Sequence, residues 1–75
     1  MGITASSLEM TVFVTAVDAG NFSAAARVLG LTPSAVSKQI SRLESRLGAR
    51  LLNRSTRRTS LTDVGRDFYE RSRLI

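Results

Sequence analysis

Apolar residues recur at helical spacing in four separate segments of the chain. In the first segment they share one face of a helix: Met10, Phe13, Val14 and Val17. The preceding Ser6-Ser7-Leu8-Glu9 is typical of a capping box, in which the Ser6 side chain accepts a hydrogen bond from the Glu9 amide. Gly20 follows as a stop signal. We therefore predict a first helix over residues 7–19.

A second, shorter helix is predicted directly after this one. Ser23 is in position to cap it, and three alanines in succession favour helix and allow another helix to approach closely. Phe22, just before the cap, is expected to fold back on the helix as an apolar staple. Gly30 ends the element, which gives a second helix over residues 23–29.

The third segment predicts a helix with two different sides. Thr32 and Pro33 are a strong start signal, and Gly48 ends the helix after Leu47. The apolar positions fall within about 60° of one another: Val36, Ile40, Leu43 and Leu47. The opposite side carries hydroxyls and cations: Ser34, Lys38, Ser41 and Ser45, with Ser37 and Arg42 at its flanks. The short, Gly-containing link between the second and third helices is typical of a helix-turn-helix, although an ordinary αα-hairpin has the same spacing.

The chain changes character after Gly48. Leu51-Leu52 and Thr59-Ser60-Leu61 are compatible with two short strands around a basic tip, and we interpret them as a hairpin, or wing. A two-stranded hairpin is marginal alone, so its leucines must pack on the helices. Thr62 then caps a fourth helix with Asp63 in its first turn. Its apolar positions are Val64, Phe68 and Leu74 or Ile75, and it reaches the last residue without a stop signal, as if cut within an element.

Positive charge is concentrated in the middle of the chain. The 75 residues carry a net charge of +5, but residues 27–58 hold eight bases and one acid, Glu44, whereas residues 1–26 hold two acids and no base. Such segregation indicates a polyanionic partner, because solvated faces usually mix the two signs. Glu44, the one acid in the basic segment, is expected to form an ion pair with Arg46, Arg50 or an arginine of the wing.

The residue inventory excludes several classes of function. There is no Cys and no His, which excludes disulfides, zinc fingers and catalytic dyads that depend on either residue. We therefore expect neither an enzyme nor a metal or cofactor site. No apolar run is long enough to span a membrane, and the start lacks the order of a secretory signal.

The polar side of the third helix has the chemistry of a DNA-reading surface. Short side chains near its start let the backbone approach base edges, and Ser hydroxyls and Lys38 can bond to bases, Lys38 also to a phosphate. Arg42 and Arg46 lie further along and are expected to contact phosphates. Arginines of the wing could enter the minor groove or contact phosphates. The candidate DNA-binding residues are Thr32, Pro33, Ser34, Ser37, Lys38, Gln39, Ser41, Arg42, Arg54, Arg57 and Arg58.

An ordered set of motifs supports this interpretation. They are Phe22-Ser23-x-Ala25-Ala26-x-x-Leu29, Ala35-Val36-Ser37-Lys38-Gln39-Ile40-x-x-Leu43-Glu44-x-x-Leu47-Gly48, Leu51-Leu52-x-Arg54-x-x-Arg57 and Leu61-Thr62-x-x-Gly65. In this order they resemble the N-terminal DNA-binding domain of the LysR-type transcriptional regulators. The resemblance runs from about Leu8 to Phe68. Two positions depart from it: Pro33 stands where many members have Gln, and Leu52 where Phe is common.

The resemblance implies a mainly α fold, a winged helix-turn-helix of three helices and a small β-hairpin wing, followed by the start of a linker helix. It divides the chain into a DNA-binding domain, residues 1–62, and the start of a dimerisation helix, residues 63–75. It further implies duplex operator DNA as partner, a homodimer or higher homo-oligomer, a cytoplasmic, nucleoid-associated location, and a small-molecule effector bound only by a C-terminal domain absent here.

Two further expectations complete the interpretation. Base-reading roles carry over from the family to Pro33, Ser34, Ser37 and Lys38, and a wing contact to Arg54. With the fourth helix cut short, we expect this chain to dimerise weakly. The alternative is a basic helical module that binds RNA or an acidic protein, which is disfavoured because the aromatic residues lie outside the basic segment.

Overall fold

Three helices form the body of the protein, with a hairpin and a fourth helix packed against them. The computed structural model describes residues 7–53 and 59–73. The elements are, in order, α1 Ser7–Ala19, α2 Phe22–Leu29, α3 Pro33–Leu47, β1 Leu52–Asn53, β2 Ser60–Leu61 and α4 Asp63–Arg73. The predicted fold class, a mainly α winged helix-turn-helix, is confirmed.

The first helix supplies the centre of the core. Phe13 is fully buried as predicted, whereas Met10, Val14 and Val17 are only partly buried. Val12 and Ala16, which the spacing did not single out, are completely buried. The buried arc is wider than predicted because α1 packs against α2, α3 and α4 at once. The predicted cap Ser6 lies outside the described residues.

The start of α2 differs from the prediction. Asn21, and not Ser23, is the N-cap: its backbone is extended and its side-chain oxygen accepts a hydrogen bond from the Ala24 amide at 2.7 Å. Asn and Ser are about equally good caps, so spacing alone does not choose between them. Phe22 is therefore the first residue of α2 and not a residue before the cap. Gly30 ends the helix in the left-handed conformation, as predicted.

The predicted boundaries of α3 are confirmed. Thr32 Oγ1 accepts from the Ala35 amide at 3.1 Å, Pro33 occupies the first turn, and Gly48 closes the helix with a left-handed φ of 69°. Val36, Ile40 and Leu43 are completely buried and Leu47 partly. The link from Gly30 to Thr32 thus joins α2 and α3 as a helix-turn-helix.

The predicted wing is present as a short antiparallel hairpin. Leu52 pairs with Leu61, and Asn53 with Ser60. Leu51 and Leu52 are buried and Leu61 packs on the core, as predicted. A hydrogen bond of 3.0 Å from the Thr59 amide to the Gly20 carbonyl holds the second strand against the turn between α1 and α2. The tip with Arg54, Arg57 and Arg58 lies outside the described residues.

The fourth helix begins at the predicted cap but turns a different face inward. Thr62 Oγ1 accepts from the Gly65 amide at 2.9 Å. Phe68 is buried as predicted, whereas Val64 is 51% exposed, so its assignment to the apolar face was wrong. The inward face centres on Gly65, Phe68 and the partly buried Tyr69, and a rotation of 100° per residue turns Val64 outward. Leu74 and Ile75 lie outside the described residues.

Candidate nucleic-acid interface

The two sides of α3 are separated as sharply in the structure as in the sequence. Val36, Ile40 and Leu43 have no exposed surface. On the opposite side the side chains of Ser34, Lys38, Ser41, Arg42 and Ser45 are exposed. The core therefore holds the helix rigidly while hydroxyls and cations face outward, in the arrangement that a helix needs to enter a nucleic-acid groove.

The first turn of α3 brings the candidate base-reading residues together. Thr32, Pro33 and Ser34 are exposed, and Ser37 follows one turn later as a half-buried side chain. Of the other candidates, Lys38, Ser41 and Arg42 are exposed and Gln39 is half-buried. Eight of the eleven candidate residues thus lie on or directly before one helix. The three wing arginines lie in the segment that the structure does not describe.

The middle and end of α3 carry a row of cations. Lys38, Arg42 and Arg46 are spaced four residues apart, so they lie along the same side of the helix. Together with Ser41 and Ser45 they line a shallow, open depression. A row of cations of this kind can contact several successive phosphates of a nucleic-acid backbone.

Glu9 contacts the row of cations on α3, a role that the sequence did not predict. It was assigned only to a helix cap, but its side chain is 3% exposed and its Oε2 atom lies 3.6 Å from Nη2 of Arg46, which is 47% exposed. A buried carboxylate needs a charged or hydrogen-bonding partner. The pair joins α1 to the last turn of α3 and orients one end of the cation row. Nothing local in the sequence marks Glu9, because its partner is distant along the chain.

Glu44 connects α3 to the wing. Its Oε2 atom accepts from the Leu51 amide at 2.8 Å and from the Leu52 amide at 3.2 Å, and the residue is 8% exposed. This acid therefore fixes the start of β1 against α3, a role that the predicted ion pair did not include. The ion pair itself stays a prediction. The carboxylate is buried and so lies away from the exposed side of α3 that carries the candidate DNA-binding residues.

Thr62 and Gly65 hold the same end of the wing against the start of α4. The Thr62 hydroxyl donates to the Arg50 carbonyl at 2.6 Å, and its amide donates to the Leu51 carbonyl at 3.0 Å. Gly65 packs directly on the same backbone, since a Cβ atom at this position would lie 2.0 Å from the Leu51 carbonyl oxygen. Thr62 and Gly65, which belong to the same sequence motif, thus both contact the backbone of Leu51.

An exposed cluster joins α4 to the end of α1. The Tyr69 hydroxyl donates to Asp18 Oδ1, and Arg73 Nη1 donates to the Tyr69 hydroxyl at 3.1 Å. The Arg73 guanidinium also lies 5.6 Å from the centre of the Tyr69 ring. The hydrogen bond with Tyr69 and the nearby Asp18 charge raise the pKa of Arg73. The cluster thus connects the last turns of α4 to the end of α1 through Asp18, Tyr69 and Arg73.

The part of the chain that the structure describes contains neither a candidate metal site nor a candidate membrane-spanning helix. Among them, no group of three or more acidic, His or Cys side chains could hold a metal ion. Within the same residues, no helix has the length and apolar character needed to cross a membrane.

A helix-turn-helix body that carries an antiparallel hairpin defines a winged helix-turn-helix protein. Comparison with known proteins gives the family. The model for "Bacterial regulatory helix-turn-helix protein, lysR family" matches residues 8–66. The chain belongs to the LysR family, and it corresponds to the DNA-binding domain of that family.

Curated relatives support the assignment. The HTH-type transcriptional regulator CrgA of Neisseria meningitidis serogroup C (strain 8013) is 49% identical over 69 residues, which are 92% of this chain and 23% of CrgA. The probable HTH-type transcriptional regulator LtrA of Klebsiella pneumoniae is 50% identical over 62 residues, 83% of this chain and 20% of LtrA. The chain thus spans less than a quarter of the length of these relatives.

Solved structures have the same fold. The CbnR DBD in complex with DNA superimposes with a TM-score of 0.84 and 36% identity over 89% of this chain and 77% of that one. The BenM DBD in complex with catB site 1 DNA gives a TM-score of 0.86 and 33% identity over 89% of this chain and 72% of the other. In both cases the shared fold covers about nine tenths of this chain.

Proposed function

We propose that this chain is the sequence-specific, duplex-DNA-binding domain of a bacterial transcriptional regulator. The observation that carries the proposal is α3 itself: three fully buried apolar residues fix one side, and serines and cations occupy the other. The two similar domains solved as DNA complexes support it. Regulation, and not catalysis, agrees with the names of the curated relatives.

The proposal assigns different work to different parts of the interface. Ser34, Ser37 and Lys38 read base edges in the major groove, because they lie in the first turns of α3. Arg42 and Arg46, further along, bind phosphates and set the register of the helix on the duplex, and Ser41 lies between the two groups. Thr32, Pro33 and Gln39 border the base-reading residues. Arg54, Arg57 and Arg58 of the wing contact the minor groove or phosphates.

The proposal also covers the assembly around this domain. Residues 1–62 bind DNA and residues 63–75 begin the linker helix through which the full-length regulator forms a homodimer or higher homo-oligomer. Two copies then recognise an inverted repeat with half-sites about one helical turn apart or more. The regulator acts in the cytoplasm, at the nucleoid, and responds to a small molecule through a domain C-terminal to this one.

The aromatic residues weigh against single-stranded RNA as the target. A protein that binds unpaired bases stacks them on exposed aromatic rings. The chain has three Phe and one Tyr and no Trp. Phe13 and Phe68 are buried in the core, and Phe22 and Tyr69 pack partly against it. No aromatic platform is therefore available beside the cations of α3.

Selection of bound duplexes from a random library is the direct test of sequence-specific binding. We expect a short sequence to be enriched and then bound far more tightly than a random duplex of the same length, with competition by single-stranded RNA weak. The proposal would be refuted if no sequence were enriched after repeated rounds of selection, or if the chain bound single-stranded RNA more tightly than the selected duplex.

Substitutions in the first turns of α3 test the base-reading roles. Ser37→Ala and Lys38→Ala should each weaken binding to the selected duplex by about 1–3 kcal/mol and relax base preference, because each removes a hydrogen bond to a base. Arg71→Ala is the charge-matched control for Lys38→Ala, since Arg71 lies on α4 in an exposed pair with Asp67. Titrations against selected and random duplexes supply the measurement. An equal loss on both duplexes for Ser37→Ala and Lys38→Ala would contradict a base-reading role.

A further inference from the structure

Two exposed apolar residues, Leu31 and Pro33, lie just before Ser34 at the start of α3. Leu31 is 38% exposed although it is a large hydrophobic residue. Pro33 is also exposed, and it has neither a polar side-chain atom nor a backbone N–H. We name these two residues the apolar leading edge of α3. An exposed apolar surface at the end of a helix that otherwise presents hydroxyls and cations requires an explanation.

Thr32, which lies between Leu31 and Pro33, uses its hydroxyl oxygen within the helix. Thr32 is exposed, but its hydroxyl oxygen accepts the Ala35 amide at 3.1 Å and so caps the helix. Thr32 retains a hydroxyl donor, but Leu31 and Pro33 on either side of it have no polar side-chain atom. The two apolar side chains therefore stand immediately upstream of Ser34.

The position of the edge determines what it meets. Pro33 adjoins Ser34 and lies one turn before Ser37, so the three residues face neighbouring parts of the same groove. If Ser34 and Ser37 read bases, as the proposed function requires, an adjacent base pair lies against Pro33 and Leu31. The major-groove edge of a base pair carries one apolar group, the C5 methyl of thymine.

We propose that the apolar leading edge, Leu31 and Pro33, contacts the C5 methyl group of a thymine next to the bases that Ser34 and Ser37 read. The inference rests on the proposed function and adds a specificity-determining contact to it. Discrimination arises in two ways. A methyl group buried against the edge is favourable, whereas the amino group of cytosine or adenine at this place would lose water without gaining an acceptor.

The test removes the methyl group and nothing else. In the duplex that the chain selects from a random library, each thymine is replaced singly by deoxyuridine, which has the same hydrogen-bonding groups. At one position per half-site, we expect binding to weaken about fourfold, the effect of one buried methyl group. Cytosine at that position should bind weakly, and 5-methylcytosine should bind more tightly than cytosine.

Variants connect this sensitivity to the leading edge. Pro33→Ala removes most of the ring but leaves a methyl group, so it should reduce the preference for thymine over uracil at the sensitive position. Pro33→Gln replaces the ring with a polar side chain and should reduce that preference further. Val28→Ala is the matched control, because Val28 is an apolar residue 73% exposed on α2, outside α3. It should keep the full preference for thymine. Circular dichroism verifies that each variant is folded.

The outcomes separate the inference from the proposed function. Specific binding without any uracil-sensitive position, or a sensitivity that persists unchanged in both Pro33 variants, would overturn the methyl contact and leave the proposed function standing. Failure to select any sequence would overturn both. Sensitivity at one position that falls in Pro33→Ala, falls further in Pro33→Gln and survives Val28→Ala would establish the contact.

Discussion

At the scale of single residues, Gly65 has a role that its place in a helix conceals. At an exposed helical position, replacing Gly by Ala stabilises a protein by about 1 kcal/mol. Here a Cβ would lie 2.0 Å from the Leu51 carbonyl oxygen and 2.8 Å from its carbon, which are backbone atoms and cannot rotate away. We expect Gly65→Ala to destabilise the domain by about 1–3 kcal/mol, as overpacking does.

Urea unfolding of Gly65→Ala against the unsubstituted chain measures this effect. Val64→Ala is the control, because Val64 precedes Gly65 on the same helix and is 51% exposed. The control should change the free energy of unfolding by no more than about 0.5 kcal/mol. An unchanged or raised midpoint for Gly65→Ala would mean that α4 does not pack on the Leu51 backbone as closely as described.

Glu44 gives a second prediction at this scale. Its carboxylate accepts two buried backbone N–H groups, those of Leu51 and Leu52. Glu44→Ala leaves both donors without this acceptor, and each unsatisfied donor costs about 1–3 kcal/mol. Glu44→Gln retains an acceptor oxygen and should lose less. Equilibrium denaturation should therefore give Glu44→Ala a lower free energy of unfolding than Glu44→Gln. If both variants lost the same free energy, the hydrogen bonds to the Leu51 and Leu52 amides would not contribute to stability.

At the scale of elements, local signals predicted boundaries well and packing faces less well. The ends of α3 follow from Thr32, Pro33 and Gly48, whose effects act within a few residues, and the structure confirms all three. The start of α2 shows where such signals become ambiguous, because Asn21 and Ser23 are both good caps. An inward face depends on which elements surround a helix, and the periodicity of α1 or α4 alone does not contain that information.

The specific partners of two buried acids were not predicted from the sequence. Glu9 pairs with Arg46, and Glu44 accepts hydrogen bonds from the start of the wing. Both acids connect elements that become neighbours only after folding. The candidate DNA-binding residues of α3 were accessible from sequence for the opposite reason, since one amphipathic helix places them together without help from the rest of the fold.

The cap of α3 can be tested as an element on its own. Thr32→Ala removes the side-chain acceptor of the Ala35 amide and should destabilise the domain by about 0.5–2 kcal/mol. Thr32→Ser retains the hydroxyl and should recover most of that loss. Thermal or urea unfolding measures both variants. A Thr32→Ser variant as unstable as Thr32→Ala would assign the effect to the lost methyl group and not to the cap.

At the scale of the whole molecule, the segregation of charge should control the salt dependence of DNA binding. Each cation that contacts a phosphate releases counterions, so affinity falls with salt in proportion to the number of contacts. Arg42→Ala should weaken specific and random duplexes about equally and reduce the slope of log affinity against log salt by about 1. Ser37→Ala should leave the slope unchanged.

Titrations at several salt concentrations, with selected and random duplexes in parallel, provide the measurement. Arg71→Ala again serves as the control, since it lowers the net charge by the same amount from α4. If the control flattened the slope as much as Arg42→Ala does, general charge and not a phosphate contact of α3 would govern the affinity.

The attachment of α4 has a mechanical consequence. One contact would act as a pivot, but α4 is held at two places: Gly65 lies on the backbone of Leu51, and Tyr69 is bonded to Asp18. Two attachments fix a direction as well as a position. The axis of α4 is therefore set relative to α1 and to the start of the wing, and both of these also contact α3.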